Sequence, residues 1–265
     1  MPAAYAHYRF GGDCLQVLPE EIRSACLAYR DVFDFGVHGP DIFFYYHPFG
    51  KNPVNRFGSE LHHHTGGEFF RRCAPVYRAG EDRDAMTAYL FGFLAHFALD
   101  SACHAYINGM DRPGLSHNHM EAQYEAFLMR KDGKDPDRVN RNALLRPSRR
   151  TAEIIARFFE FSTEQVLSSI RSQRRVMGIL YSPTGVKRAL TRALCRGLKI
   201  PGHLEDLFTG GKEDPACSGV CGRLEEFYAQ ALAIYPELAR NLMGILAGTE
   251  EAEAYFDYDF EGTKP

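Results

Sequence analysis

His96, Asp100 and His104 stand four residues apart, and His117 and Glu121 repeat that interval. On an α-helix four residues turn about 40° past one full turn and rise roughly 6 Å, so each set projects from one side of its helix. Neutral imidazole and carboxylate are the natural ligands of zinc and similar divalent ions. A single histidine on a helix is more often a surface or satisfied core residue. Here Phe91, Phe93, Leu94, Phe97, Ala98 and Leu99 mark the first helix as buried. Two imidazoles and a carboxylate there are costly without partners, and a bound ion supplies one.

Two further groups lie upstream. Asp41 closes the triplet Gly39-Pro40-Asp41, where a turn or cap role competes with a ligand role. His62 opens a run of three histidines in Gly58-Ser59-Glu60-Leu61-His62-His63-His64. Three consecutive side chains cannot share one helical face, so at most one or two reach a common ion. Cys217 and Cys221 are also four apart, beside Gly219 and Gly222. They could pair or bind metal, but a closed zinc site needs four ligands and no second cysteine pair accompanies them.

The elements that must position these groups are helical. Pro19-Glu20-Glu21 predicts a helix start that runs through Val32 to a stop at Gly36. A second helix is expected from about Ser59 through His62 to Arg72, weakened by Gly66-Gly67. A third runs from about Asp84 to Ile107, and a fourth from Ser116 to about Arg130. The polar, basic segment 131–150 reads as a loop. Helices follow from Ser148 to Phe161 and from the capping-box sequence Ser162-Thr163-Glu164-Gln165. The stretch 196–222 reads as irregular, and a last helix spans Gly222 to about Gly248, interrupted at Pro236. The tail aromatics Tyr255, Phe256, Tyr258 and Phe260 are expected to fold back on the body. The pattern predicts an all-α, multi-helix bundle in a single domain over residues 1–265. The most apolar stretch, Ala85–Leu99, is too short for a bilayer span.

These motifs together resemble the zinc-dependent phospholipase C family, which is related to the S1/P1 nucleases. The matching elements are His7, Gly-Pro-Asp at 39–41, Gly-x-x-Leu-His at 58–62, His96-x-x-x-Asp100 with His104, and His117-x-x-x-Glu121. They cover roughly residues 5–125 in the family's order. The resemblance implies an all-α fold and two or three zinc ions. It would assign Asp41, His62, His96 and Asp100 to the first ion and His104, His117 and Glu121 to the second. His7 would hold the third, with Asp100 bridging. In the secreted enzymes the amine and carbonyl of an N-terminal tryptophan complete that third site. This chain contains no Trp, and its Asp100–His104 spacing is tighter than theirs.

Two or three divalent ions can clamp a phosphodiester and lower the pKa of a bound water to about 7. Asp41 is then the candidate for orienting or deprotonating that water. Phe43, Phe44, Tyr45, Tyr46, Phe69 and Phe70 could wall a lipid chain or stack on a base, though core packing is the more common role for any one of them. The expected substrate is a phospholipid or a soluble phosphodiester. The alternatives are an S1/P1-type nuclease and a non-catalytic zinc-binding protein. The net charge of −3 predicts no stable nucleic-acid complex, although Arg130, Lys131, Lys134, Arg138, Arg141, Arg146, Arg149 and Arg150 could touch phosphates. The N-terminus lacks a basic region followed by an apolar one, and the seven cysteines are scattered. Both features point to a cytoplasmic protein.

Overall fold

The apolar stretch Ala85–Leu99 becomes the middle of one 28-residue helix, Arg83–Met110, against which the other elements pack. The computed structural model describes residues 4–48, 50–181, 184 and 213–265. In chain order the helices are α1 (Ala4–Val17), α2 (Glu20–Ala28), α3 (Arg30–Gly36), α4 (Pro53–Leu61) and α5 (Gly66–Ala79). They continue with α6 (Arg83–Met110), α7 (His117–Lys131), α8 (Arg149–Ala156), α9 (Thr163–Leu180) and α10 (Ser218–Ala247). A 3-10 segment, Gly39–Tyr45, follows α3. Among the described residues β-pairing is confined to isolated bridges, Thr65 with Asp259 and Arg112 with Leu115. The expected all-α class holds.

By length and composition α6 would cross a membrane, longer than its apolar core suggested. However, 83% of its apolar window is buried inside the protein, as in the central helix of a globule. Its closest neighbour is α3. A Cβ on Gly36 would stand 2.4 Å from the Tyr89 carbonyl oxygen, and one on Gly92 2.4 Å from that of Phe33. Only a glycine pair lets the two backbones meet this closely. The approach carries Val37 and the following 3-10 segment against the histidine face of α6. Gly39 adopts φ +50, and a Cβ there would lie 2.2 Å from the His96 ring.

Several boundaries differ from expectation. The helix from Pro19 breaks at Tyr29 (φ −115, ψ 45), so α3 has its own axis and can meet α6. The helix expected through His62 to Arg72 is two helices. Asn52 caps α4, which ends at His62, and Thr65 with Glu68 forms a capping box that starts α5. Gly66 then seats directly on the Phe97 ring. Helix α8 ends at Ala156 rather than Phe161. Residues 196–212 of the stretch read as irregular lie outside the described residues. The rest of it contains the start of α10 at Ser218, four residues early, and Pro236 does not interrupt that helix.

The tail does fold back. Phe256 stacks on Phe97 with ring centroids 5.7 Å apart, and the Phe260 amide donates to the His62 carbonyl at 3.0 Å.

Candidate metal centre

The structure brings all eight predicted residues to one region. His7 comes from α1, Asp41 from the 3-10 segment and His62 from the C-terminal end of α4. His96, Asp100 and His104 come from α6, and His117 and Glu121 from α7. All are buried except His117, which is half-buried. Of the three consecutive histidines only His62 turns inward, while His63 and His64 are exposed.

Three groups form, in each of which the ligand-type atoms lie within 4.8 Å of one another: His7/His96/Asp100, Asp41/His62/His96 and His104/His117/Glu121. Asp100 is the meeting point. Its Oδ1 is 3.1 Å from His7 Nε2, and its Oδ2 is 2.9 Å from His96 Nε2 and 3.7 Å from His104 Nδ1. His62 Nε2 faces Asp41 Oδ1 at 3.0 Å. His104 Nε2 and His117 Nε2 approach Glu121 Oε1 at 3.3 and 3.2 Å.

The second nitrogen of four rings decides which way these rings work. His62 Nδ1 donates to the Gly58 carbonyl at 2.7 Å and His96 Nδ1 to that of Val37 at 3.3 Å. His104 Nδ1 donates to the Phe260 carbonyl at 3.0 Å, and His117 Nδ1 to Asn108 Oδ1 at 2.9 Å. A carbonyl oxygen only accepts, so each Nδ1 carries the hydrogen and each Nε2 presents its lone pair inward. Fixing the outer nitrogen in this way orients metal-ligating histidines. Replacing Asn108 by alanine is therefore expected to weaken zinc binding at the His117 group by about 10–100-fold. Titration against a competing chelator measures the loss.

A lone pair that faces a carboxylate repels it unless a proton or a cation lies between. Without metal, protons fill that role. Burial lowers the His104 pKa, but Asp100 and Glu121 outweigh it and raise it to about 10. His62 is likewise raised by Asp41 against its burial. Burial pushes Asp41, Asp100 and Glu121 up, yet the surrounding imidazoles hold all three below the usual carboxylate range. His96 stays low because burial dominates.

The proton arrangement is incomplete, which is the test of fit for a metal. His96 Nε2 and Asp100 Oδ2 are only 2.9 Å apart but are out of line for a hydrogen bond. Both atoms, and His7 Nδ1, are buried with no hydrogen-bond partner. Such orphans are rare in folded proteins. A cavity of about 20 Å³ lies among His7, Asp100, His104 and Glu121, room for one water-sized particle. A set of nitrogen and oxygen donors converging on such a space fits zinc.

A family model described as zinc dependent phospholipase C matches residues 6–172. The chain belongs to the zinc-dependent phospholipase C family. No curated protein and no solved structure matches it. The family match runs past α7 through α8 into α9, further than the motifs of residues 5–125. It makes this phospholipase C relative a zinc-dependent hydrolase with a lipid substrate class.

Other expectations sort by position. Phe43, Phe69 and Phe70 are core residues. Phe44 lies beside His62 with ring centroids 5.5 Å apart, and Phe44, Tyr45 and Tyr46 are half-buried. Arg141 of the basic segment points inward, to Glu125 at 2.6 Å. Lys131 pairs with Glu225, Arg138 with Asp135, Arg149 with Glu164 and Arg150 with Asp82. Sequence reasoning overlooked His38, buried near His7 and His96, where burial takes its pKa down to about 3. It also missed the supporting carbonyls of Val37, Gly58 and Phe260. A backbone oxygen has no residue type, so no motif could have found them.

Proposed function

We propose that this phospholipase C-family chain hydrolyses the phosphodiester of a phospholipid, with His7, Asp41, His62, His96, Asp100, His104, His117 and Glu121 holding two or three zinc ions. The observation that carries this reading is the set of four imidazoles clamped at Nδ1, each with Nε2 turned toward a buried carboxylate. In this reading Asp41, His62, His96 and Asp100 hold one ion and His104, His117 and Glu121 another, while His7 and Asp100 serve a third. Bound zinc would supply Lewis acidity toward the phosphoryl oxygens and a water acidic enough to attack at neutral pH.

The chain's own residues do the rest. Asp41 is ionised, held there by His62, and accepts the proton of the attacking water. The water oxygen bonds to phosphorus, the ester bond to the glycerol oxygen breaks, and that oxygen takes a proton from solvent. Phe44, half-buried next to His62, and the half-buried Tyr45 and Tyr46 that follow it offer apolar surface to the glyceride part of the substrate. The pairing of the basic segment with acids, and the net charge of −3, disfavour the nuclease alternative.

The test is metal content of the purified chain together with hydrolysis of phosphatidylcholine, a chromogenic phosphodiester and single-stranded DNA. Two or more zinc ions and release of phosphocholine are expected. Absence of any transition metal would sink the reading. Bound zinc with no hydrolysis of any diester would make the chain a zinc-binding protein, and cleavage of DNA alone would make it a nuclease.

A further inference from the structure

On the far side of α7 lies a second cluster with different chemistry. His119 is two residues from both His117 and Glu121, which places it about 200° around the helix from them. It faces the start of α10 instead of the main centre. Its Nε2 lies 2.8 Å from Asp214 Oδ2. The ligand-type atoms of His119, Asp214 and Cys217 all fall within 4.8 Å of one another. Cys217 is 1% exposed, and Cys221, one helical turn further along α10, is 5% exposed.

We infer that His119, Asp214 and Cys217 form a separate zinc site with a thiolate ligand that pins α7 to the start of α10. The local backbone supports it. Asp214 Oδ1 caps the Ala216 amide at 2.9 Å, which leaves Oδ2 turned to His119. The Asp214 amide donates to Gln123 Oε1 at 3.1 Å, and the Cys217 amide to the Asp214 carbonyl at 2.9 Å. The loop is thus folded around the three side chains and tied to α7. One thiolate, one imidazole and one carboxylate supply three of the four ligands a zinc site takes, and Cys221, four residues after Cys217, is the side chain that would supply the fourth. Cys217, which the sequence left without a set of ligands, meets an imidazole and a carboxylate here. Such a site would hold α7 in place, and with it the His117 and Glu121 side chains, without touching substrate.

Sulfur separates this site from the main centre, whose eight candidate ligands are nitrogen and oxygen donors. Cobalt(II) bound to thiolate shows an intense near-ultraviolet charge-transfer band, and cobalt on imidazole and carboxylate does not. The full-length protein exchanged with cobalt should show the band. Cys103→Ser and His62→Ala should keep it, the former because Cys103 lines the main centre and must be excluded as its source. Cys217→Ser should abolish the band and remove about one metal equivalent. His119→Gln, at a half-buried position, should keep the fold and weaken cobalt binding at this site at least about tenfold, so it decides the matter if Cys217→Ser does not fold. Absence of the band in the wild type, its survival in Cys217→Ser, unchanged affinity in His119→Gln, or a Cys217–Cys221 disulfide in the purified protein would each overturn the inference. None of these results bears on whether the main centre hydrolyses lipid.

Discussion

Asp100→Asn is expected to remove at least one zinc equivalent and to lower phosphodiester hydrolysis by about 100–1000-fold, the scale of losing a preorganised electrostatic group at a reacting centre. The carboxylate stands 3.1 Å from His7, 2.9 Å from His96 and 3.7 Å from His104, so one charge serves three imidazoles. Asparagine has nearly the same volume, and packing around α6 should survive. Its amide brings no negative charge, and its NH₂ group can donate to a ring nitrogen that now faces inward as a lone pair. With the carboxylate charge gone, the site would lose its demand for a cation. Metal analysis, far-ultraviolet circular dichroism and the diester assay on one preparation separate these effects. A variant with a full metal complement and wild-type turnover would refute the central role given to Asp100.

The second large effect is on stability. Arg141→Ala should cost about 3–5 kcal/mol of folding free energy, the range for breaking a buried ion pair from one side. Glu125 is fully buried, accepts from Arg141 Nη1 at 2.6 Å, and also accepts the Tyr5 amide. Without the guanidinium a carboxylate would be left in the core. Burial already raises the Glu125 pKa, and Arg141 is the main group that holds it down. Losing Arg141 raises it further above the unfolded value. The folded variant then binds a proton more tightly than the unfolded chain, so its stability improves as pH falls. The deficit should be largest at neutral pH and shrink in acid. Adding Glu125→Gln should restore much of the loss at neutral pH. Urea unfolding at several pH values tests both points, and a pH-independent deficit would show that Arg141 acts through packing alone. Because Glu125 also anchors the first turn of α1, these variants should weaken zinc binding by the His7 group as well.

The metal-ligand pattern on α6 and α7 was legible because it is local. Residues four apart on a helix share a face whatever surrounds them, so His96, Asp100 and His104, and then His117 and Glu121, declare themselves by spacing. Caps were legible for the same reason. Ser116 and Ser162 start α7 and α9 through side-chain bonds to amides three residues on. The break at Tyr29 and the gap between His62 and Thr65 were not legible. They arise where a helix must change direction to reach α6, and neither residue type enforces the turn alone.

By itself, then, the sequence determined that the chain is helical, that α6 is its buried axis, and that two helices carry ligand-type side chains on one face. Those are consequences of period and residue type, which short-range geometry translates directly into structure. Only the tertiary structure decided how the separate sets join. Glycines 36 and 92 bring α3 close enough for Val37 to clamp His96, and the tail delivers the Phe260 carbonyl to His104 from 156 residues away. It also turned His119 toward Asp214 and Cys217, a pairing across 95 residues and more. Such contacts depend on backbone oxygens and on the packing of distant helices, and neither leaves a mark at the positions that make them.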